Sequence, residues 1–355
     1  MKDRHIHITQ DSMLHKRLNA VVARELIIDP RATRRVLFTK FVVYLALTSG
    51  AFWAVVHAPS PGLLLLAYLA FGFASMLFAF NFAHDFSHQA VFKHRFWDNL
   101  GYTVLYTMMG AHAEAWKHRH VHSHHYAPNV KDYDTDLQIT NWMRVEPSAP
   151  LRWYHRWQHI YAPLAYATYS LYWITWKDGF VYMQDFRSGK LGLGYHLSFW
   201  AQKLVYFGYL LTIPLALSPV DTGWVILAFL LMHAAQSVFL LFTFFITHHV
   251  EATEYFDTDA EGYIRTSWIN NQLRSSNDFF PFSRLANHVF GGFNNHIAHH
   301  LYPHIHHVHY PRLNRILYRE LTQAGYSPNQ TTFFGGVRSH LRHLKEMGQP
   351  EAVAA

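Results

Sequence analysis

Residues 62–88 read GLLLLAYLAFGFASMLFAFNFAHDFSH: an apolar run that ends directly in His84-Asp85-Phe86-Ser87-His88. The apolar part, 62–82, carries no charged residue and is long enough to cross a bilayer as a helix. If the helix continues past the membrane, His84 and His88 stand four apart and share one of its faces. This stretch therefore predicts a helical, membrane-embedded chain that presents imidazoles where a span meets water.

The same pattern extends in both directions. Residues 36–57 form a second apolar run, separated from the first only by Ala58-Pro59-Ser60-Pro61. Another pair follows at 197–217 and 223–247, joined by Ser218-Pro219-Val220-Asp221-Thr222. Neither short connection contains Lys or Arg, whereas the flanks on the other side are rich in both, so the positive-inside rule places both termini and both long polar stretches in the cytoplasm. Two weaker apolar runs remain. Residues 100–111 are too few to span, and 160–176 are crowded with Tyr and Trp, an interfacial signature. Both are read as lying at the cytoplasmic face, which gives four spans in two hairpins; six is the alternative count. The predicted organisation is a cytoplasmic segment over 1–35, a membrane domain over 36–325 and a cytoplasmic tail over 326–355. The first segment is basic (Lys16, Arg17, Arg24, Arg31, Arg34, Arg35) and includes an amphipathic helix around 14–28; no signal-peptide cleavage site follows it.

Composition narrows the chemistry. Half of the 355 residues are apolar and only 15% are charged, fewer than in a soluble domain. There is no cysteine, which excludes disulfides, thiolate metal sites, iron–sulfur clusters and a cysteine nucleophile. Histidine is the unusual residue: 29 copies, scattered through structured contexts rather than gathered in a tract. The net charge of +7 suits a membrane surface or an acidic partner better than nucleic acid, given the apolar blocks.

Four histidine groups fall on the cytoplasmic side of the predicted topology: 84–88, His120-Val121-His122-Ser123-His124-His125, His248-His249, and His296-Ile297-Ala298-His299-His300. His120 and His124 repeat the i, i+4 spacing, and His125 points about 100° further round a helix, toward a second metal. His296, His299 and His300 share a face. With His249 added there are nine candidate nitrogens, too many for one ion with open positions and suited to two. Two ions with nitrogen ligands suit O2 chemistry; copper and zinc stay open on ligand type, and zinc would make the site hydrolytic. The pair His118 and His122 competes with His120 and His124, and His248 competes with His249. Isolated histidines such as His57, His196 and His233 are read as packing residues. Asp85 and Asp136 are the candidates to orient ligating imidazoles, with Asp132 and Asp134 read as a solvated acidic turn or as alternatives. Apart from Lys40 at the start of the first run, Lys203 is the one charge inside a predicted span, where it either snorkels to the interface or holds a substrate carboxylate.

The order of these boxes resembles the membrane fatty acid desaturase superfamily, in particular its linoleoyl-CoA or front-end desaturase-like branch, which includes desaturase-like decarboxylases. The resemblance runs from about 70 to 325. It rests on His84-Asp85-x-x-His88, His120-x-x-x-His124-His125 with Asp136-Leu137 after it, 155–161, His249-Val250-Glu251, 291–303 and 307–311. Two features differ from front-end members: His296 stands where Gln is usual, and no His-Pro-Gly-Gly cytochrome b5 motif is present.

The resemblance implies four membrane helices under a cytoplasmic helical cap, with a bent apolar tunnel for an acyl chain. It implies two non-haem irons held by His84, His88, His120, His124, His125, His249, His296, His299 and His300, with O2 as co-substrate. Hydrogen abstraction from the chain would then lead to a double bond, to an alcohol, or to decarboxylation of a free fatty acid to a 1-alkene. Membrane lipid and a fatty acid or acyl substrate are the expected partners, and the cytoplasmic membrane of a bacterium is the expected location. Electrons would come from a ferredoxin or cytochrome b5-like donor with its reductase, steered by Lys117, Arg119, Arg144, Arg152, Arg156 and Arg265 or, on the same residues, by anionic lipid. The rival from another class is a histidine-rich metal transporter, whose ligands would sit near the bilayer midplane, where these spans carry almost no carboxylate.

Overall fold

The computed structural model describes residues 4–92, 94–137, 141–189 and 191–350. Residues 1–3 and 351–355, the ends of the two expected terminal segments, lie outside the described residues. The chain divides into two units, one comprising Pro30–Lys117 and Pro163–Leu241, the other Met1–Asp29, His118–Ala162 and Phe242–Ala355.

In the first unit the apolar runs become long helices. Pro30–His57 and Pro61–Phe78 form a hairpin, and Pro61 opens the second helix at a position where its missing N–H costs nothing. Where neighbouring helices meet, the approach is close: a Cβ on Gly72 would lie 2.6 Å from the Met232 side chain. The second helix continues through a π turn, Ala79–Ala83, into His84–Ser87. The core of this unit gathers Leu64, Tyr68, Phe71, Phe78, Tyr206, Leu210, Phe229 and Met232. Helix Arg95–Met109 ends at Gly110 with φ +77, and a Cβ there would meet the Tyr206 ring at 2.7 Å, so both the turn and the packing require glycine.

Among the described residues, three helices are long and apolar enough to cross a membrane: Pro30–His57, Pro61–Ser87 and Thr222–His248. The fourth expected span, 197–217, is helical throughout as Leu193–Phe207, a π turn Gly208–Thr212 and Ile213–Leu217. Gln202 and Lys203 in its first half, with His196 just before it, keep its composition more polar than the other three. The runs at 100–111 and 160–176 are also helical, in pieces of 15 residues or fewer.

The second unit is helical around its own core. Helix Thr9–Glu25 turns Leu14, Leu18, Val21 and Val22 onto one stripe, and these pack with Leu313, Leu317 and Leu321 of helix Tyr310–Gln323 and with Ile297 and Leu301. Arg17–Glu320 and Arg319–Glu25 ion pairs, each 2.7 Å, flank that seam. A short parallel pair of strands, Asp278–Phe279 with Gln330–Thr331, is the one departure from all-helical structure among named elements. Helix Phe333–Met347 starts at a Thr332 cap and buries Gly336, His340, His343, Leu344 and Met347 along one side.

Candidate metal centre

Each histidine box lands on a short helical element. His296–Leu301 is a six-residue helix whose first turn is held by Asp278: its Oδ1 accepts from the Ile297 N–H at 2.9 Å, and its Oδ2 accepts from Asn314 and Tyr318 at 2.9 Å each. Burial pushes the Asp278 carboxyl up to about 7 despite these donors. His120–His124 is a π turn closed by the His125 N–H on the His120 carbonyl, 3.0 Å. That extra residue in the turn sets the sides. His120 and His125 face each other, Nε2 to Nε2 at 3.2 Å, and His124 faces elsewhere.

Two sets of imidazoles result in the second unit. His124, His248, His296 and His300 bring their donor nitrogens within 4.8 Å of one another, all buried. The Nε2 of His248 lies 3.0 Å from that of His124, 2.6 Å from that of His296 and 3.2 Å from that of His300; His296 and His300 are 3.1 Å apart. The other ring nitrogens face outward. His124 Nδ1 bonds Asp134 Oδ2 at 3.0 Å, His248 Nδ1 bonds the Ser275 carbonyl at 2.8 Å, and His300 Nδ1 bonds Gln272 Oε1 at 2.8 Å. These acceptors assign the ring proton to Nδ1 in each case and leave the Nε2 lone pairs pointing at one another. Lone pairs at such distances repel, so the arrangement fits a cation at their centre. The second set is His120, His125 and His299, again within 4.8 Å, with His299 Nδ1 3.3 Å from the Tyr310 hydroxyl. In the first unit, His84 and His88 hold their rings 5.1 Å apart.

The electrostatics follow burial. Desolvation presses the His300 imidazole well below its ordinary value, and the neighbouring imidazoles press it further, which keeps it in the neutral, ligating form. Burial also lowers His124, but the Asp134 carboxylate outweighs it and holds His124 above the ordinary value, with Asp134 correspondingly below its own.

Several sequence-derived residues sit differently from expectation. His248, rather than His249, stands in the four-imidazole set; His249 Nδ1 meets the Tyr255 hydroxyl at 2.8 Å instead. The reason is the helix end: successive residues diverge in direction, and only one of the two turns toward His296 and His300. His299 separates from His296 and His300 for the same reason. The carboxylate on His124 is Asp134, which also accepts the Asn129 N–H and, on Oδ1, the Asp136 N–H. Asp136 lies within reach of the His124 and Asp134 pair, and Asp132 is exposed and accepts from Thr258. Asp85 is buried, with its carbonyl accepting the Ala90 N–H. His118 and His122 are exposed and in no metal-capable group among the described residues. Gln272 and the Ser275 carbonyl gave no signal in the sequence, because a lone amide and a backbone group carry none.

Lys203 is 8% exposed, and its ammonium bonds Asp178 Oδ2 and the Gly110 carbonyl, each at 2.6 Å. Asp178 Oδ2 accepts the His112 N–H as well. A cavity of about 610 Å³ lies beside this pair, lined by Phe199, Trp200, Lys203, Leu204, Phe207 and neighbours. Arg144, expected on a basic surface, is 1% exposed and is bonded to the carbonyls of Ala149, Pro147 and Met347.

The fatty acid desaturase family model matches residues 58–332, a span that encloses every histidine box. An acyl-lipid (8-3)-desaturase of Physcomitrium patens is 29% identical over 298 residues, 79% of this chain and 59% of that protein. An sn-1 linoleoyl-lipid 6-desaturase of Arthrospira platensis is 28% identical over 354 residues, 96% of this chain and 93% of that protein. A Delta(5) fatty acid desaturase A of Dictyostelium discoideum is 27% identical over 280 residues. The chain thus spans 59% of the length of the moss and slime-mould proteins. With the family model covering more than half of the chain, this protein belongs to the fatty acid desaturase family.

Proposed function

We propose that the protein is a desaturase that removes two hydrogens from a fatty acyl chain, using O2 and a pair of iron ions. The observation that carries this reading is the convergence of the His124, His248, His296 and His300 Nε2 atoms while three of their Nδ1 atoms are bonded outward. We assign those four to one iron, and His120, His125 and His299 to the other; His84 and His88 are further ligands that the family resemblance implies. When bound, the iron pair supplies the redox chemistry that activates O2 and breaks an unactivated C–H bond.

The chain's own residues do the rest. Asp134, the Ser275 carbonyl and Gln272 accept from Nδ1 of His124, His248 and His300, so these three rings are already turned with Nε2 toward the metal position. Burial of all four Nε2 atoms keeps water from competing for the metal. The acyl substrate comes from membrane lipid or free fatty acid, and the histidine boxes face the cytoplasm in the orientation that the charge distribution favours.

The test is to incubate membranes containing the protein with fatty acyl substrates, O2 and a reducing system, and to analyse the products by gas chromatography. An in-chain alkene two hydrogens lighter is expected. A terminal alkene one carbon shorter would replace desaturation with decarboxylation, and an added oxygen would replace it with hydroxylation. Iron content is the independent arm: active preparations holding under one iron per chain would sink the two-iron assignment.

A further inference from the structure

His249 stands beside His248 but points away from it, into a ladder of rings in which His249 and His343 are buried and Tyr255 is half-buried. Its ring is 6.3 Å from that of His248. Tyr255 stacks on it at 6.0 Å with an interplanar angle of 11°, and His343 stacks on Tyr255 at 5.6 Å and 9°. Hydrogen bonds run along the same path: His249 Nδ1 to Tyr255 Oη at 2.8 Å, and Tyr255 Oη to His343 Nε2 at 3.0 Å. The protons can be assigned. His343 Nε2 lies 2.7 Å from the Val145 carbonyl and donates to it, so the Tyr255 hydroxyl donates to His249 Nδ1. His249 therefore carries its own proton on Nε2.

The ladder ends under helix Phe333–Met347, which contributes His343 from its inner side. The outer side of that helix exposes Arg338, Arg342 and Lys345, at helical spacing, with Glu346 the one acid among them. Arg152 and Arg156 are exposed on the adjoining segment around Trp153–Trp157, which packs against the same helix. Glu251 offsets part of the charge, 3.9 Å from Arg342. The patch is net basic, and one helix thickness, about 10 Å, separates it from the first ring of the ladder.

We propose that helix Phe333–Met347 is where electrons reach this enzyme: an acidic one-electron carrier protein docks on its basic outer side, and the electron passes through His343, Tyr255 and His249 to His248. This rests on the redox reading of the site given above. The electron balance requires an external electron supply. Desaturation takes two electrons and two protons from the acyl chain, whereas turning O2 into two waters needs four of each. The other two electrons come from the carrier, whose iron–sulfur centre is oxidised by one electron per docking, and the two protons come from solvent. A bare basic patch would fit anionic lipid equally well; the stacked, hydrogen-bonded path beneath it favours the carrier.

The experiment uses the full-length, iron-loaded protein in nanodiscs and a reduced plant-type [2Fe–2S] ferredoxin. Ferredoxin oxidation is followed by stopped flow, and ferredoxin binding by fluorescence anisotropy. Combining R338E, R342E and K345E is expected to raise the half-saturating ferredoxin concentration about tenfold and to flatten its salt dependence. Single-turnover product after chemical reduction with dithionite stays at the wild-type level. Tyr255→Phe, which keeps the ring and removes the hydroxyl, is expected to slow the maximal transfer rate several-fold without moving half-saturation. Unchanged ferredoxin binding in the charge-reversed protein, with loss of retention on anionic vesicles, would overturn the proposal in favour of a lipid-facing patch. Wild-type transfer in Tyr255→Phe would overturn the path. Ferredoxin binding together with no oxidised acyl product from dithionite-reduced wild type would instead sink the functional reading and leave the docking face standing.

Discussion

His248 and His249 pose the sharpest question at the scale of single residues. Their side chains are chemically identical and adjacent, yet one faces three other imidazoles and the other a tyrosine hydroxyl. His248→Ala is expected to lower bound metal by about half and abolish product, since it removes the imidazole whose Nε2 contacts all three partners. His249→Ala is expected to retain metal within the scatter of wild type. Metal analysis of purified protein decides between them, and equal loss in both variants would mean that the helix end rearranges on loading. Residue identity was legible in advance for the boxes themselves, because i, i+4 imidazole spacing has few other uses at a membrane face. Which member of His248-His249 turns inward was not legible, because a helix end leaves both directions open. Asp134 rather than Asp136 bonds His124 on similar grounds: in an acidic turn, chain direction decides which carboxylate reaches His124, and that direction comes from the Asn129 N–H on Asp134 and the Ser123 hydroxyl on the Tyr133 carbonyl, contacts that residue spacing does not encode.

Elements carry information that single residues do not. Box spacing reads as α-helical, which holds for His84–Ser87, but the structure uses a π turn at His120–His124 and another, Ala79–Ala83, just before the first box. One extra residue per turn is invisible to a periodicity argument, yet it separates His124 from His120 and His125. The predicted amphipathic helix near the N-terminus was legible because its apolar stripe is regular, and it shifts only slightly, to Thr9–Glu25. Lys203 belongs to this scale too, since its ammonium joins helix Leu193–Phe207 to helix Asp178–Arg187 and to the turn at Gly110. Lys203→Met leaves Asp178 buried and uncompensated, a loss of about 3–5 kcal/mol for a pair broken on one side. The expected readout is a clearly lower melting midpoint in detergent, with apparent affinity for fatty acid unchanged in the protein that survives. Adding Asp178→Asn should recover most of the lost midpoint; a midpoint that stays down would mean that the two residues do not act as a pair.

Over the whole molecule, hydropathy made the membrane frame legible, and among the described residues three helices meet the requirement by length and composition. The fourth expected span is less apolar because it carries the residues that bond Asp178, Gly110 and Ala113, a use of polar side chains that a hydropathy window counts only as a penalty. The absence of cysteine makes the topology simple to measure, since any introduced thiol is the only one. Cysteines at Ser60 and Ser218 are expected to react with a membrane-impermeant maleimide on intact cells, and one at Ser188 only after permeabilisation. If Ser218→Cys reacts only from the inside, 197–217 does not cross. The four inward-facing Nε2 lone pairs also bear on the protein's life in a cell. With the site read as a metal centre, a newly made copy would carry this repulsive knot until metal arrived, and loading would serve as proofreading of the folded chain. On that reading unloaded copies would open more often and be the ones that quality-control proteases reach. Cellular abundance of this enzyme should then follow metal supply with no change in its transcription.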